Sequence, residues 1–483
     1  MRVCLVTPPS PFLLDERVFM SLGILKVAAM LEEAKIPVSV LDLSGVENYE
    51  DAVVQEASTS AATVYGITAT SPQMPAAMKI CQRLRATAPN SRIILGGTHV
   101  TLVSAAKKLE AKQGRSGRAT RALKELMETF DTLVMGDGEL AVFHALNGDS
   151  PKIVDADDPA SPLFLKPERL GNLPFPSRHL VDVASYKYTI DGERALSLIG
   201  QLGCPFECKF CGGRFSPFLR RMRLRPPENI VEEIEHMYRT YGNKGFMYLD
   251  DEVNINKSFL DLLLQVRALQ ERLGVEFRMR AFVKSERFTE EQAAAMYRAG
   301  FRWILVGFES GDPRMLLNMD KKATREENTR CVEIAHRHGL KVKALMSIGH
   351  AGESAESVGE TEKWLIQVAP DDFDCTVITT YPGTPYFDES LESSPGVWTY
   401  TQPKTGDRLH ATEIDFHRNS SYYKGIPGAY TANTWTDHLT SAELVALRDA
   451  VEDRVRSVLG IPYPSGAAPK AFEHSMGQHE ALL

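Results

Sequence analysis

GCPFECKFCGG, residues 203–213, holds three of the seven cysteines in this 483-residue chain. Cys204, Cys208 and Cys211 stand in a C-x3-C-x2-C run. Thiolates in such a run select zinc or iron-sulfur clusters, and the number of donors separates the two. A structural zinc site takes four protein ligands, commonly as two spaced pairs. Only three thiols are close here, since His179 lies well upstream and His236 falls on a predicted helix face. A cubane cluster held by three cysteines leaves one iron free to bind a small molecule through nitrogen and oxygen. An open corner of that kind implies chemistry.

The run follows a predicted strand, Ala195 to Ile199, that begins a regular alternation of strands and helices. Further strands are predicted at Gly245 to Asp250, Phe277 to Phe282, Trp303 to Glu309, Val342 to Ile348 and Cys375 to Thr380. The helices between them carry start signals, such as the capping boxes Thr289-x-x-Gln292 and Thr324-x-x-Glu327. Six strands and five helices predict a partial or closed parallel barrel over residues 191–388, with its chemistry at the carboxyl ends of the strands. The cysteine run lies on the first loop at that face.

Residues 1–150 alternate in the same way. Strands are predicted at Arg2 to Val6, Val38 to Leu43, Val64 to Thr68, Arg92 to Gly97 and Thr132 to Gly136, which together predict a doubly wound α/β domain. The charge-rich stretch from Lys107 to Thr129 reads as a helical or loop insertion. Five prolines between Pro159 and Pro176 mark residues 151–190 as a linker. Residues 389–483 read as a small, mostly irregular region with a helix at Ser441 to Leu459 and a mobile tail. Its aromatics Trp398, Tyr400, Tyr422, Tyr423, Tyr430 and Trp435 suit either a cap over a pocket or a loosely packed subdomain.

Composition narrows the function. A net charge of -8 without a long basic run argues against a nucleic-acid partner and leaves a small-molecule substrate as the default. No stretch is apolar for the roughly 18 residues a bilayer span needs, so no membrane partner and a cytoplasmic location are expected. Cys4, Cys81, Cys331 and Cys375 fall on predicted strands or helix faces, where small buried hydrophobes are the expected reading.

The run, with Phe210 before its last cysteine and Gly212-Gly213 after it, resembles the signature of radical SAM enzymes. The resemblance implies a 4Fe-4S cluster on Cys204, Cys208 and Cys211. It implies that the fourth iron chelates S-adenosylmethionine, that one electron cleaves this cosubstrate to a 5'-deoxyadenosyl radical, and that a flavodoxin- or ferredoxin-type donor supplies the electron. Phe210 and Gly212 then flank the cosubstrate. YLDDEVNIN (248–256) resembles the segment near the methionine amino group, with Asp250 and Asp251 as acceptors. Arg280 suits the carboxylate, Glu309 the ribose hydroxyls, and Ser347 the fifth strand end. Glu309 ends an apolar strand, where a charge needs a reason. Tyr381 is a candidate for the substrate wall.

The first 150 or so residues resemble the cobalamin-binding domain that precedes the barrel in one large class of these enzymes. TPPSP, GITATSPQ, GGTHVT and GDGE follow the predicted strands in that class's order. Cobalamin is therefore expected near Thr68, Thr70, Ser71, Gly96 and Gly97. The loop TPPSPFLLDERVF lacks the histidine that ligates cobalt from below in one version of the domain, and His99 is expected to be a loop hydrogen-bonding residue. The implied activity is cobalamin-dependent methyl transfer. A radical SAM dehydratase, epimerase or cyclase with an empty first domain is the alternative within enzymes, and a cobalamin- or zinc-binding protein without turnover the alternative outside them.

Overall fold

The computed structural model describes residues 1–10, 15–422 and 431–463. Its first sheet contains β1 (Val3–Thr7), β2 (Val38–Asp42), β3 (Val64–Thr68), β4 (Arg92–Gly96), β5 (Thr132–Gly136) and β6 (Ile153–Ala156), in the order β2-β1-β3-β4-β5-β6. Every pairing is parallel. Alternate residues of β1 feed different cores: Val3 and Leu5 pack on one face, Cys4 and Val6 on the other. A sheet covered on both faces requires this, and it is why the strand reads as one apolar run. The strand order reverses between β1 and β3, the position where such sheets open a ligand crevice.

One feature corrects the sequence reading and a second decides between its alternatives. The proposed linker contributes β6, a strand of four residues too short to show a period among its prolines. The stretch at Lys107 to Thr129 is part of two helices, Thr98–Lys112 and Arg118–Thr129. Their turn is held by Glu110, whose carboxylate accepts the N–H groups of Gly117, Ala119 and Thr120 and so caps the second helix.

The second sheet carries β7 (Glu193–Leu198), β8 (Gly245–Tyr248), β9 (Arg278–Phe282), β10 (Phe301–Glu309), β11 (Lys341–Ile348) and β12 (Asp372–Val377), consecutive and parallel. A two-residue strand, Thr189–Ile190, pairs antiparallel with β7. The sheet runs from β12 at one edge to this short strand at the other, so the barrel is open among the described residues. Capping boxes at Thr289 and Thr324 begin two of its helices, as their spacing predicts.

The C-terminal region is also corrected. It contains a four-stranded antiparallel sheet of β13 (Leu391–Ser394), β14 (Val397–Thr401), β15 (Arg408–Thr412) and β16 (Thr434–Thr436) rather than mostly irregular chain. These strands have three to five residues, many polar, which hides their alternation. Trp398 and Trp435 belong to this sheet: Trp398 stacks on the Arg118 guanidinium at 3.7 Å, and Trp435 on His410 at 5.6 Å. Tyr423, Tyr430 and the tail from residue 464 lie outside the described residues. The helix Ser441–Leu459 returns to the barrel, where Glu452 accepts the N–H of Cys375 at 2.7 Å. No helix among the described residues is long and apolar enough to cross a membrane.

Candidate active site

The cysteine loop leaves β7 and is tied down by backbone bonds on every side. Cys204 N–H reaches Leu219 O at 3.0 Å, Lys209 N–H reaches Met319 O at 2.8 Å, and Gly213 N–H reaches Gly383 O at 3.0 Å. At Gly203 φ is +80°, and a Cβ there would lie 2.3 Å from the Arg221 oxygen, so only glycine fits before the first cysteine. Asp250 follows β8 and is buried. Its carboxylate accepts the Gly200 N–H at 2.6 Å, which fixes the chain just ahead of the cysteines. Burial raises its pKa to about 7.

All three thiols are free of disulfides. Burial pushes the half-buried Cys204 thiol up to about 11. A thiolate is stabilised by a positive centre beside it, which is what a metal cluster provides. The donor set thus fits a cluster with three protein ligands.

Facing the loop, Glu309 ends β10 at φ +68°, a left-handed backbone that a non-glycine residue rarely adopts. The register with β11 slips between Gly307 and Glu309. Strain of this kind persists only where the surroundings enforce it. Ser347 donates to Glu309 Oε2 at 2.8 Å, and the ammonium of Lys321 lies 3.4 Å from Oε1. Burial opposes the charge on Lys321, but Glu309, then Cys208 and Glu252, outweigh it and raise the lysine's pKa. Ser347 also contacts His350 Nε2 at 2.8 Å, and His350 Nδ1 meets the Tyr386 hydroxyl at 3.1 Å. His350 is pushed down to about 3, by burial first and Lys321 second, and is neutral. Phe210 packs edge-on against its ring at 5.3 Å.

The other sequence candidates fall in distinct places. Asp251, unlike Asp250, is exposed. Arg280 sits mid-strand and turns to Tyr188, whose hydroxyl accepts from Nη1 at 2.9 Å, and to the Trp303 ring. Both neighbours lie near the amino ends of the strands, so the structure does not bring Arg280 to Glu309. Tyr381 joins Phe416 and Tyr422 in an aromatic cluster. Lys321 and His350 were missed by sequence reasoning. Lys321 is one of two adjacent lysines beyond a short helix, and nothing local marks it as the buried one.

In the first domain a cavity of about 340 Å³ opens along the sheet. Val3, Leu5, Val64 and Ile94 form apolar walls, while Thr68, Thr70, Gln73 and Thr98 are polar, and Leu202 and Phe218 approach from the barrel side. The two glycines have different causes. At Gly97 φ is +100° and a Cβ would lie 2.6 Å from the Ala69 nitrogen, so the backbone itself demands glycine. At Gly96 a Cβ would meet nothing nearer than 3.8 Å, so its absence leaves room in the cavity. A deep apolar slot with a polar mouth fits the nucleotide tail of a corrinoid. Thr70 spends its hydroxyl on Gln73 Oε1 at 3.0 Å, and Ser71 pairs with His99 Nδ1 at 2.9 Å. His99 lies on the helix Thr98–Lys112 rather than in a loop. From that same helix Leu102 reaches the cysteine loop: a Cβ at Gly212 would stand 3.2 Å from Leu102 Cδ2, and one at Gly383 2.9 Å.

A half-barrel whose first loop gathers three thiols, docked against a doubly wound domain with a cavity, defines an enzyme built around an open cluster and a second cofactor. Residues 198–365 match the radical SAM superfamily, and residues 16–127 match the B12 binding domain. The chain thus combines a radical SAM domain with a B12-binding domain ahead of it. An uncharacterized methyltransferase, PH0819, of Pyrococcus horikoshii is 26% identical over 401 residues, covering 82% of this chain and 84% of that protein. The anaerobic magnesium-protoporphyrin IX monomethyl ester cyclase of Rubrivivax gelatinosus is 24% identical, covering 76% of this chain and 64% of its own. Among solved structures, the radical S-adenosylmethionine methyltransferase TsrM from Kitasatospora setae, with cobalamin and a 4Fe-4S cluster bound, superposes with a TM-score of 0.63 at 17% identity. That match covers 93% of this chain and 91% of TsrM and establishes a shared fold.

Proposed function

We propose that this protein transfers a methyl group to an unactivated carbon of a small molecule, using S-adenosylmethionine, a 4Fe-4S cluster and cobalamin. The contact of Leu102 with Gly212 and Gly383 carries the reading, because it sets the cavity domain directly against the cysteine loop. When bound, the cluster would supply the electron that cleaves S-adenosylmethionine, and cobalamin the methyl group passed to substrate.

The chain's own residues then have these roles. Cys204, Cys208 and Cys211 would hold the cluster, with Phe210 and Gly212 shaping its rim. Glu309, paired with Lys321 and oriented by Ser347, would accept hydrogen bonds from ribose hydroxyls. Asp251 would take the ammonium of the cosubstrate, while Asp250 fixes the loop beneath it. Thr68, Thr70, Gly96 and Gly97 would border the corrinoid, whereas Ser71 lies outside that lining and is held by His99, and Tyr381 with Phe416 would bound the substrate side. A flavodoxin- or ferredoxin-type protein would deliver the electron.

The test is anaerobic reconstitution with iron, sulfide and cobalamin, followed by mass spectrometry of the products of S-adenosylmethionine with candidate substrates. Equal amounts of S-adenosylhomocysteine and 5'-deoxyadenosine are expected. Deoxyadenosine alone, with no cobalamin retained, would replace methyl transfer by a dehydratase, epimerase or cyclase reaction.

A further inference from the structure

A second cavity, of about 430 Å³, lies between the helix Arg118–Thr129 of the first domain and the segment around Phe416. Glu125, Asp415, His417 and His99 line it. One ligand atom each from Glu125, Asp415 and His417 fall within 4.8 Å of one another. His417 is buried, at 3% exposure, with Nδ1 3.0 Å from Glu125 Oε2.

Acidic groups near a histidine are common without a metal. The independent observation is His99. Its ring is 1% exposed and meets His417 edge to face, with centroids 5.5 Å apart. Nδ1 is held by Ser71, and Nε2 is buried with no hydrogen-bond partner. A buried imidazole nitrogen left unpaired is costly unless something binds it. A hydroxyl orienting one ring nitrogen while the other stays available is also how metal-binding histidines are presented.

We propose that Glu125, Asp415 and His417 bind a divalent transition-metal ion of the zinc type, with the unpaired Nε2 of His99 buried in the lining of the same cavity. Two carboxylates and one imidazole match the oxygen and nitrogen donors of zinc sites that keep a fourth position open. Arg418 holds the place of the cation, its guanidinium joining Glu125 Oε1 and, at 2.5 Å, Asp415 Oδ2. Its side chain is 64% exposed and can leave into water. Asp415 Oδ1 accepts the backbone N–H of His417 at 3.0 Å, which ties that carboxylate to the turn carrying the histidine. The ion would clasp the C-terminal region to the first domain over the cavity. The inference does not rest on methyl transfer.

The test uses the full chain with its cluster assembled, so that the cysteine loop is occupied. Zinc is added, excess removed, and zinc, iron and sulfide are measured in the same sample, with affinity from competition by a chelator. About one zinc per chain beyond the cluster metal is expected. H417A and E125Q should each weaken binding about tenfold or more, with iron content unchanged. R418A should bind zinc more tightly than the parent chain, a gain that misfolding does not produce. No stoichiometric zinc in the parent chain, parent-like affinity in both H417A and E125Q, or weaker binding in R418A would reduce the cluster to an ion-pair clasp and overturn the proposal.

Discussion

Ser347 donates a hydroxyl hydrogen bond to Glu309 Oε2 at 2.8 Å while the Lys321 ammonium stands 3.4 Å from the other oxygen. The carboxylate is therefore fixed where a strained strand end presents it. Glu309→Gln keeps the shape and removes the charge. Its affinity for S-adenosylmethionine should fall about tenfold to a hundredfold, the ~1.5–3 kcal/mol of a charge-assisted hydrogen bond. Equilibrium dialysis on cluster-loaded protein measures this, and an unchanged affinity would remove Glu309 from the cosubstrate site.

The cysteines divide by environment. Cys204→Ala, Cys208→Ala and Cys211→Ala should each yield protein depleted of iron and sulfide and lacking the brown absorption of a cluster. Cys331→Ala, at a buried helix position, should keep its iron and lose about 1 kcal/mol of stability from the small cavity created. Iron retained in all three loop variants would contradict the assignment.

Gly96 and Gly97 are adjacent, yet replacement should act on different properties. Gly96→Leu fills open cavity and should abolish cobalamin retention with little change in melting temperature. Gly97→Ala drives a Cβ toward the Ala69 backbone from a left-handed conformation, costing on the order of 1–3 kcal/mol in thermal or denaturant unfolding. Equal loss of stability in both would refute the distinction.

Glu353 sets a pH dependence. Its buried carboxyl accepts from Gly349 N–H at 3.2 Å and from Ser357, and burial raises its pKa from 4.5 to about 7. The folded state thus binds this proton more tightly than the unfolded chain. The associated stability is fully present below about pH 4.5 and is lost as pH rises to about 7. It is of order 3 kcal/mol for a shift of that size. Glu353→Gln, which imitates the neutral acid, should flatten that part of the stability profile in denaturant melts at successive pH values. A profile parallel to that of the parent chain would exclude the role.

The parallel strands were legible because each is an apolar run bounded by turn residues, and β3 and β5 fall at their predicted positions. The antiparallel C-terminal sheet was not, since Leu391–Ser394 is wholly exposed and shows no alternation to read. At the site, the cysteines announce themselves by spacing. Lys321 does not, because the carboxylates that answer its charge, Glu309 and Glu252, belong to other strand ends. His99 and His417 meet across 318 positions of sequence, a proximity that only the packing of the two regions creates. Arg280 shows the converse: its strand was legible, while the end of the barrel toward which its guanidinium turns depends on Tyr188 and Trp303.

Leu102 rests against both Gly212 and Gly383, with no space for a methyl group at Gly383. Chimaeras that exchange the first domain for that of a relative would therefore inherit a mismatched side chain beside the catalytic loop. Recombining such modules to alter substrate preference would have to carry the residue at position 102 together with its two glycine partners as a single heritable unit.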